Sequence, residues 1–145
     1  MQSIKINTGL IRLEVDRDGE KSEITFNPND INFVEGVYTL MSDLDAKQKE
    51  YNTRIAELES NDETDNNGIP LNIKERMVLV KELCLDLEKQ IDMVFGTGTS
   101  EKAFGNALCF EMFEQFFEGI TPYIQKARKE KLSKYQTKGA RNVMR

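Results

Sequence analysis

The sequence predicts an α+β fold, in which a small antiparallel β-sheet packs at one end of a bundle of about four helices. Near the N-terminus, apolar residues alternate with polar ones, and a period of two is typical of strands with one buried face. Further along, apolar residues recur at steps of three and four over two long stretches, which predicts a long antiparallel helical hairpin. A chain of 145 residues is the right size for one such domain.

The first 29 residues form the predicted β region. Apolar residues alternate there in three short sets, which predict a hairpin or meander of two or three antiparallel strands. Between the last two sets, Asp18-Gly19 is a residue pair that accepts the positive φ angles of a tight turn. The alternating apolar residues are Ile4 and Ile6, then Ile11, Leu13 and Val15, and finally Ile24 and Phe26.

The same turn resembles the beginning of a calcium-binding loop, because Asp16, Asp18 and Glu20 lie at alternate positions. A complete loop also needs glycine at its sixth position and glutamate at its twelfth, where this chain has Lys21 and Asn27. No calcium site is therefore predicted.

Residues 30–95 are predicted to form the helical hairpin, with Asp30 as the N-cap of its first helix. The polar residues 60–70 separate two apolar seams, and the first seam contains one polar residue, Gln48. Leu79, Leu83 and Phe95 lie off the second seam, so the second helix needs a wider apolar face, covered by this chain or by another subunit. The seams are Val34, Val37, Met41, Leu44, Gln48, Tyr51, Ile55 and Leu58, followed by Ile73, Met77, Val80, Cys84, Leu87, Ile91 and Val94.

The stretch VFGTGTSEKAFG, residues 94–105, combines glycines, hydroxyl side chains and a lysine, as phosphate-binding loops do. It completes neither the dinucleotide-binding motif nor the P-loop motif, and a predicted helix precedes it where both motifs need a strand. Gly96 suits a helix C-terminus, and Thr99 or Ser100 with Glu101 suits the beginning of the next helix. We interpret the glycines as helix boundaries.

Residues 99–136 are predicted to form the C-terminal helices and to complete a single domain of residues 1–136. Thr121 as an N-cap and Pro122 at the first helical position predict that a fourth helix begins there and runs from Tyr123 to about Lys134. Residues 137–145 are predicted to form a basic, flexible tail. The apolar residues of the third helix are Leu108, Met112, Phe113, Phe116, Phe117 and Ile120.

The composition argues against catalysis. The chain has no histidine, which is the commonest general base and zinc ligand, and no catalytic motif is complete. We predict no enzyme activity, cofactor, metal or small-molecule substrate. Cys84 and Cys109 lie among apolar neighbours and are predicted to be buried free thiols of a reducing compartment. Because no long apolar run or secretory signal pattern is present, we expect a cytosolic protein that does not bind membranes.

Residues 110–124, FEMFEQFFEGITPYI, concentrate four phenylalanines and a tyrosine. One interpretation is a core helix that packs on the hairpin. The other is a protein-binding surface, in which a bend between Gly119 and Pro122 opens a groove for an amphipathic client helix. The predicted client contacts are Phe110, Phe113, Phe117 and Tyr123, with Glu111, Glu114 and Glu118 as a polar rim.

Charge is divided between an acidic body and a basic C-terminal segment. Residues 1–125 contain twelve Lys and Arg against twenty-four Asp and Glu, whereas residues 126–145 contain eight against one. The acidic body would repel DNA or RNA, so an acidic surface of a client or of a second copy is the predicted partner of the basic segment. The residues predicted to make this contact are Lys126, Arg128, Lys129 and Lys131.

The order of IKINTG, LEVDRDGE, ITFNPND, a long charged helical pair, VFGTGTSEKAFG and MFEQFFEGITPYI with a basic end resembles tail assembly chaperone proteins of long-tailed phages and prophages of Firmicutes. The resemblance extends over most of the chain. It implies a non-enzymatic protein of the host bacterial cytoplasm that binds apolar helical segments of the tape measure protein, recruits tail tube protein and self-associates. The alternative function is a phage or prophage nucleic-acid-associated or regulatory protein that uses the basic tail.

Overall fold

The computed structural model describes the backbone of residues 1–143 and the side chains of residues 1–127. The described residues form a two-stranded antiparallel sheet followed by four helices, which confirms the predicted α+β class. The last helix continues to Val143, so the predicted boundary at residue 136 falls inside it. The elements are β1 (Ile11–Arg17), β2 (Glu20–Phe26), α1 (Ile31–Glu59), α2 (Ile73–Phe95), α3 (Thr99–Phe104) and α4 (Phe110–Val143).

The two strands pair along their whole length, from Ile11 opposite Phe26 to Arg17 opposite Glu20. Alternate residues of both strands are buried or half-buried and pack on the helices, while the residues between them face solvent. The period-two pattern of these two strands is therefore confirmed.

The turn between the strands consists of the predicted pair, because Asp18 has φ of 54° and Gly19 has φ of 92°. The Asp16 carboxylate accepts a hydrogen bond from the Gly19 backbone N–H at 2.8 Å. The aspartate that resembles a calcium ligand in the sequence thus stabilises the turn.

The prediction that Ile4 and Ile6 belong to a strand is wrong. Within the described part of the chain, residues 1–10 pair with no strand, and these two isoleucines are 84% and 74% exposed. The Asn27 side-chain amide donates a hydrogen bond to the Thr8 carbonyl at 3.0 Å. This contact holds the chain beyond the open end of the hairpin, so the residues before Thr8 do not fold back along β1.

Helix α1 begins as predicted, because the Asp30 carboxylate accepts the backbone N–H of Asn32 at 2.9 Å. Such a cap satisfies one of the backbone donors that a helix leaves unpaired at its N-terminus, and it contributes about 1 kcal/mol.

The buried face of α1 differs from the predicted seam. Phe33 and Leu40 are buried, whereas Met41 is 46% exposed. Gln48, the polar residue of the seam, faces solvent, and the preceding Lys47 forms an ion pair with Asp86 of α2. The buried face is rotated because the N-terminal half of α1 packs against the sheet as well as against α2, with Phe33 in contact with Phe26 and Phe95.

Helix α2 uses two adjacent faces, as its wide apolar surface predicts. One face is directed toward α1: Leu79 and Leu58 of α1 line the same cleft, and Arg76 donates a hydrogen bond to the Leu58 carbonyl. On the second face, Cys84 and Leu87 are completely buried. The two faces allow α2 to contact α1 and the C-terminal helices at the same time.

The C-terminal helices divide the chain differently from the prediction. The third helix ends at Phe104, because Gly105 has φ of 61° and its Cα lies against the Arg17 guanidinium. Helix α4 then begins at Phe110 and continues through Pro122 without a break. Proline removes a single N–H from the backbone ladder, and the Thr121 hydroxyl donates to the Phe117 carbonyl on the preceding turn.

The centre of the core consists of aromatic rings from five elements. Phe95 contacts Phe33 and Phe116 edge to face, with ring centroids 5.1 and 5.2 Å apart. Phe26 of β2 contacts the same Phe95 ring at 5.9 Å, and Phe104 of α3 contacts Phe116 at 5.6 Å. These contacts join the sheet, the hairpin and the C-terminal helices into one core.

Candidate protein-binding surfaces

The predicted client contacts do not form a common surface. Phe113 is 2% exposed and packs against Phe104 with ring centroids 4.7 Å apart, so it belongs to the core. Phe110 and Phe117 are half-buried and pack against the core. Tyr123 is 39% exposed, and its ring is arranged edge to face with the Phe26 ring, with ring centroids 6.3 Å apart.

The predicted groove between Gly119 and Pro122 is not formed, because α4 is continuous there and no gap separates two helices. The rim glutamates and Lys126 are exposed. The side chains of Arg128, Lys129 and Lys131 lie outside the described residues, so their predicted contact with an acidic partner stays a prediction.

A cleft that we did not predict lies between β1 and α4. It has a volume of about 310 Å³, and its apolar wall is formed by alternate residues of β1 and by one stripe of α4. Gly119 lies on that stripe, and a Cβ added to it would meet no described atom within 4 Å apart from its chain neighbours and the nearby backbone of its own helix. The lone glycine in a helical pattern is the sequence signal for this cleft. The principal lining residues are Leu13, Val15, Phe104, Met112, Phe116, Gly119 and Ile120.

Arg17 closes the end of this cleft near the turn. Its guanidinium forms an ion pair with Glu20 at 2.8 Å and packs against Gly105. Its Nε is buried and has no hydrogen-bond partner among the described residues. The cleft therefore combines apolar walls with a charged end, where Arg17 lies beside Asp16 and Asp18.

A second unfilled surface lies on α2, toward the tip of the hairpin. The residues of its second seam from Cys84 onward are covered, but Val80 is 42% and Met77 is 63% exposed. Burial first, then Glu88 and Cys109, raise the pKa of the Cys84 thiol. The seam is therefore covered from Cys84 onward and open at Met77 and Val80.

The prediction that Cys109 is buried is wrong, because its side chain is exposed and only Cys84 is buried. Leu108, the preceding residue, is 37% exposed. The apolar neighbours in the sequence do not bury Cys109 because it lies in the short turn before α4. We name the exposed apolar side chains of Met77 and Val80, which continue the seam of α2 before Cys84, the α2 patch.

The glycine-rich stretch joins α2 to α3, as its interpretation as a helix boundary predicts. The Ser100 backbone N–H donates to the Asp92 carboxylate and its hydroxyl donates to the Glu88 carbonyl, both at 2.8 Å. Gly98, with φ of 92°, takes the N-cap position expected for Thr99 or Ser100. The polar groups at this helix start are bonded to α2, which leaves no arrangement typical of a phosphate loop.

Glu88 is a half-buried carboxyl at this junction, and its Oε1 atom is buried. Burial, followed by the neighbouring Asp92, raises its pKa, and its Oε1 has no hydrogen-bond partner among the described residues. The ionised side chain therefore destabilises the folded state.

We expect Glu88→Gln to raise the melting temperature at neutral pH, because the amide cannot ionise. The folded-state pKa lies above the unfolded value, so the destabilisation is absent below the unfolded pKa and complete above the folded one. Thermal unfolding across this pH range measures the difference from the parent protein, which should disappear in acid. Glu114→Gln, at an exposed site, should show no such difference, and a pH-independent effect of Glu88→Gln would contradict the assignment.

The fold defines a small α+β protein in which a β-hairpin lies at one end of a helical bundle. A family model described as "Family of unknown function (DUF6673)" matches residues 20–145, and the chain belongs to this family. No curated protein and no solved structure matches the chain. Among the described residues, no helix is long and apolar enough to cross a membrane.

Proposed function

We propose that the protein is a non-enzymatic tail assembly chaperone. It binds apolar helical segments of the tape measure protein and assists assembly of the tail tube in the host bacterial cytoplasm. The observation that carries this proposal is the α2 patch, where an apolar helical seam continues beyond the part that the described residues cover.

The geometry of the α2 patch suits a helix as its occupant. Cys84, Leu87 and Ile91 on the same seam are 0% exposed and belong to the same core cluster as the buried residues of α4. The Phe116 ring of α4 contacts Phe95 at the end of α2. A client helix laid along the seam before Cys84 would cover Met77 and Val80 as the core covers the later seam residues.

The side chains of the patch suit a client whose sequence varies. Methionine is flexible and polarisable, and it is common on surfaces that bind many apolar helices. The tape measure protein presents such helices repeatedly along its length, as the resemblance to tail assembly chaperones implies. The acidic residues of the body keep the complex soluble while apolar surface is exposed.

The test is co-expression of the protein with the tape measure protein, followed by pull-down and measurement of Kd. The double variant Met77→Gln and Val80→Gln should lose about 2 kcal/mol of binding free energy, roughly thirtyfold in Kd, because both side chains would contact the client. Its circular dichroism and melting should stay close to those of the parent protein, since both residues are exposed.

Met93→Gln is the matched control, because Met93 is 78% exposed on the same helix but lies off the seam. It should bind the client as the parent protein does. Equal binding by the parent protein and the double variant would exclude the α2 patch as the client site, and no capture by the parent protein would refute the chaperone function.

The alternative function, nucleic-acid binding, predicts a different result for the same protein. It requires a mobility shift of DNA or RNA that depends on residues 126–145 and weakens steeply with salt, because bound counterions are released from the phosphates. We expect no shift at physiological salt. A shift that is lost when residues 126–145 are removed would favour the alternative over the chaperone.

A further inference from the structure

We propose that residues 3–8 of one copy bind as an additional β-strand in the cleft between β1 and α4 of a second copy. We name residues 3–8 the arm. This self-association site does not depend on the proposed client or on the α2 patch.

The edge of β1 has backbone groups available for a further strand. Arg17 and Glu20 are paired directly beside the two-residue turn, as a hydrogen-bonded pair. Along the two strands, hydrogen-bonded pairs then alternate with pairs that exchange no backbone hydrogen bonds. The N–H and C=O groups of Arg12, Glu14 and Asp16 therefore point away from β2. Glu14 and Asp16 line the cleft, so this edge faces the space beside α4.

The opposite edge of the sheet is already covered. Lys102 of α3 donates a hydrogen bond from Nζ to the Glu23 carbonyl at 3.1 Å. Glu23 is paired with Glu14 in a non-bonded pair, so its carbonyl points outward from β2. The β2 edge is thus protected by a charged side chain, as edges of natural sheets commonly are, whereas the β1 edge is not.

The arm matches the β1 edge in length and pattern. Six residues of extended chain span about 20 Å, which is close to the length of the seven-residue β1. Ile4 and Ile6 are separated by one residue, so both would point to the same face. In the cleft this is the face of Leu13 and Val15, where apolar walls from the strand and α4 surround the space.

Charge favours the same orientation. With Ile4 and Ile6 directed into the cleft, Lys5 points to the outer face of the sheet. The neighbouring outward residues of β1 include Glu14 and Asp16, so the lysine would lie beside two carboxylates. Opposite charges on adjacent strands stabilise the pairing.

The occupant is a second copy because the arm of the same chain is directed elsewhere. The bond from Asn27 to the Thr8 carbonyl holds the arm beyond the open end of the hairpin. Gly9, with φ of 91°, lies so close to Asn29 that a Cβ would be 2.0 Å from its Nδ2. Among the described residues, an arm held in this way pairs with neither strand of its own sheet, and Ile4 and Ile6 stay exposed. Strand addition to an exposed edge is an established way for chains to associate.

Light scattering coupled to size-exclusion chromatography measures the association over roughly a hundredfold range of protein concentration, because such association follows mass action. The parent protein should self-associate as concentration rises. The double variant Ile4→Ser and Ile6→Ser should remain monomeric. The control double variant Ile69→Ser and Leu71→Ser changes two exposed apolar residues at the same spacing and should associate as the parent protein does.

The cleft is blocked separately by Gly119→Leu. Since an added Cβ at this position meets no described atom within 4 Å apart from its chain neighbours and the nearby helix backbone, the leucine should fill the cleft without disturbing the fold. Leucine also favours a helix more than glycine does, so the melting temperature should not fall. This variant should likewise remain monomeric.

Mixing the two monomeric variants gives the decisive result. The arm variant has an intact cleft and the Gly119→Leu variant has an intact arm, so the mixture should form mixed dimers that neither variant forms alone. A monomeric parent protein, association of either variant at the parental level, or failure of the mixture to associate would each overturn the proposal. Client capture by the monomeric variants would leave the proposed function standing, so the two proposals are tested independently.

Discussion

Replacing Phe104 by alanine is expected to lower the free energy of unfolding by about 3–5 kcal/mol, the range for aromatic truncations in a packed core. Phe104 is 2% exposed, and its ring contacts Phe113 and Phe116 of α4. Urea denaturation followed by circular dichroism measures the loss. The same ring lines the cleft beside β1, so truncation removes support from the strand as well as from the helix.

A control and a milder variant make this prediction decisive. Leu108→Ala, at an exposed site only four residues away, should change the free energy of unfolding far less. If Phe104→Ala does not fold, Phe104→Leu should still fold and should lose less stability, because leucine restores part of the volume. A loss from Phe104→Ala no greater than that from Leu108→Ala would show that α3 does not connect the sheet to α4 as described.

Leu87→Ala is expected to cost about 2–5 kcal/mol, because Leu87 is 0% exposed and alanine would leave a cavity between α2 and the C-terminal helices. Leu44→Ala, on the facing helix, should cost less. Leu44 is half-buried at the edge of the core, so water or neighbouring side chains can fill the space left there.

Denaturant unfolding of the two leucine variants measures this difference directly. The sequence places both residues on heptad seams and predicts similar losses for them. The structure predicts unequal losses, since α1 and α2 pack mainly with each other near Leu44 but also with α4 near Leu87. Equal losses would mean that the C-terminal helices do not cover α2.

The two proposed binding surfaces lie on different parts of the molecule. The α2 patch lies toward the tip of the helical hairpin, whereas the strand site lies between β1 and α4. Helix α4 contributes the stripe from Met112 to Ile120 to the cleft. A client and a second copy can therefore be tested with variants that share no residue.

The sequence predicts the local features of the fold well. The Asp18-Gly19 turn, the Asp30 cap and the helix boundary at Gly96 are all present where the pattern places them. Each depends on hydrogen bonds or φ angles within a few neighbouring residues. Such interactions are determined by the side chains next to them in the chain, so they can be identified before the rest of the structure is known.

The candidate surfaces could not be identified in this way. The aromatic cluster indicates a binding groove in the sequence, but Phe113 is buried and α4 passes through Pro122 without opening. Exposure of an apolar side chain depends on which other element reaches it. Val80 and Leu87 lie on one seam, and only the position of α4 explains why the first is exposed and the second buried.

By itself, the sequence determined the α+β class, the paired strands around their turn, the two long helices and the apolar periodicity of α2. The tertiary structure alone decided that Ile4 and Ile6 have no partner strand, that α1 buries Phe33 and Leu40, and that a cleft remains beside β1. The physical reason is that backbone hydrogen bonds and turn angles are local. Burial, in contrast, is shared between residues far apart in the chain, and its outcome depends on where the packed elements leave space.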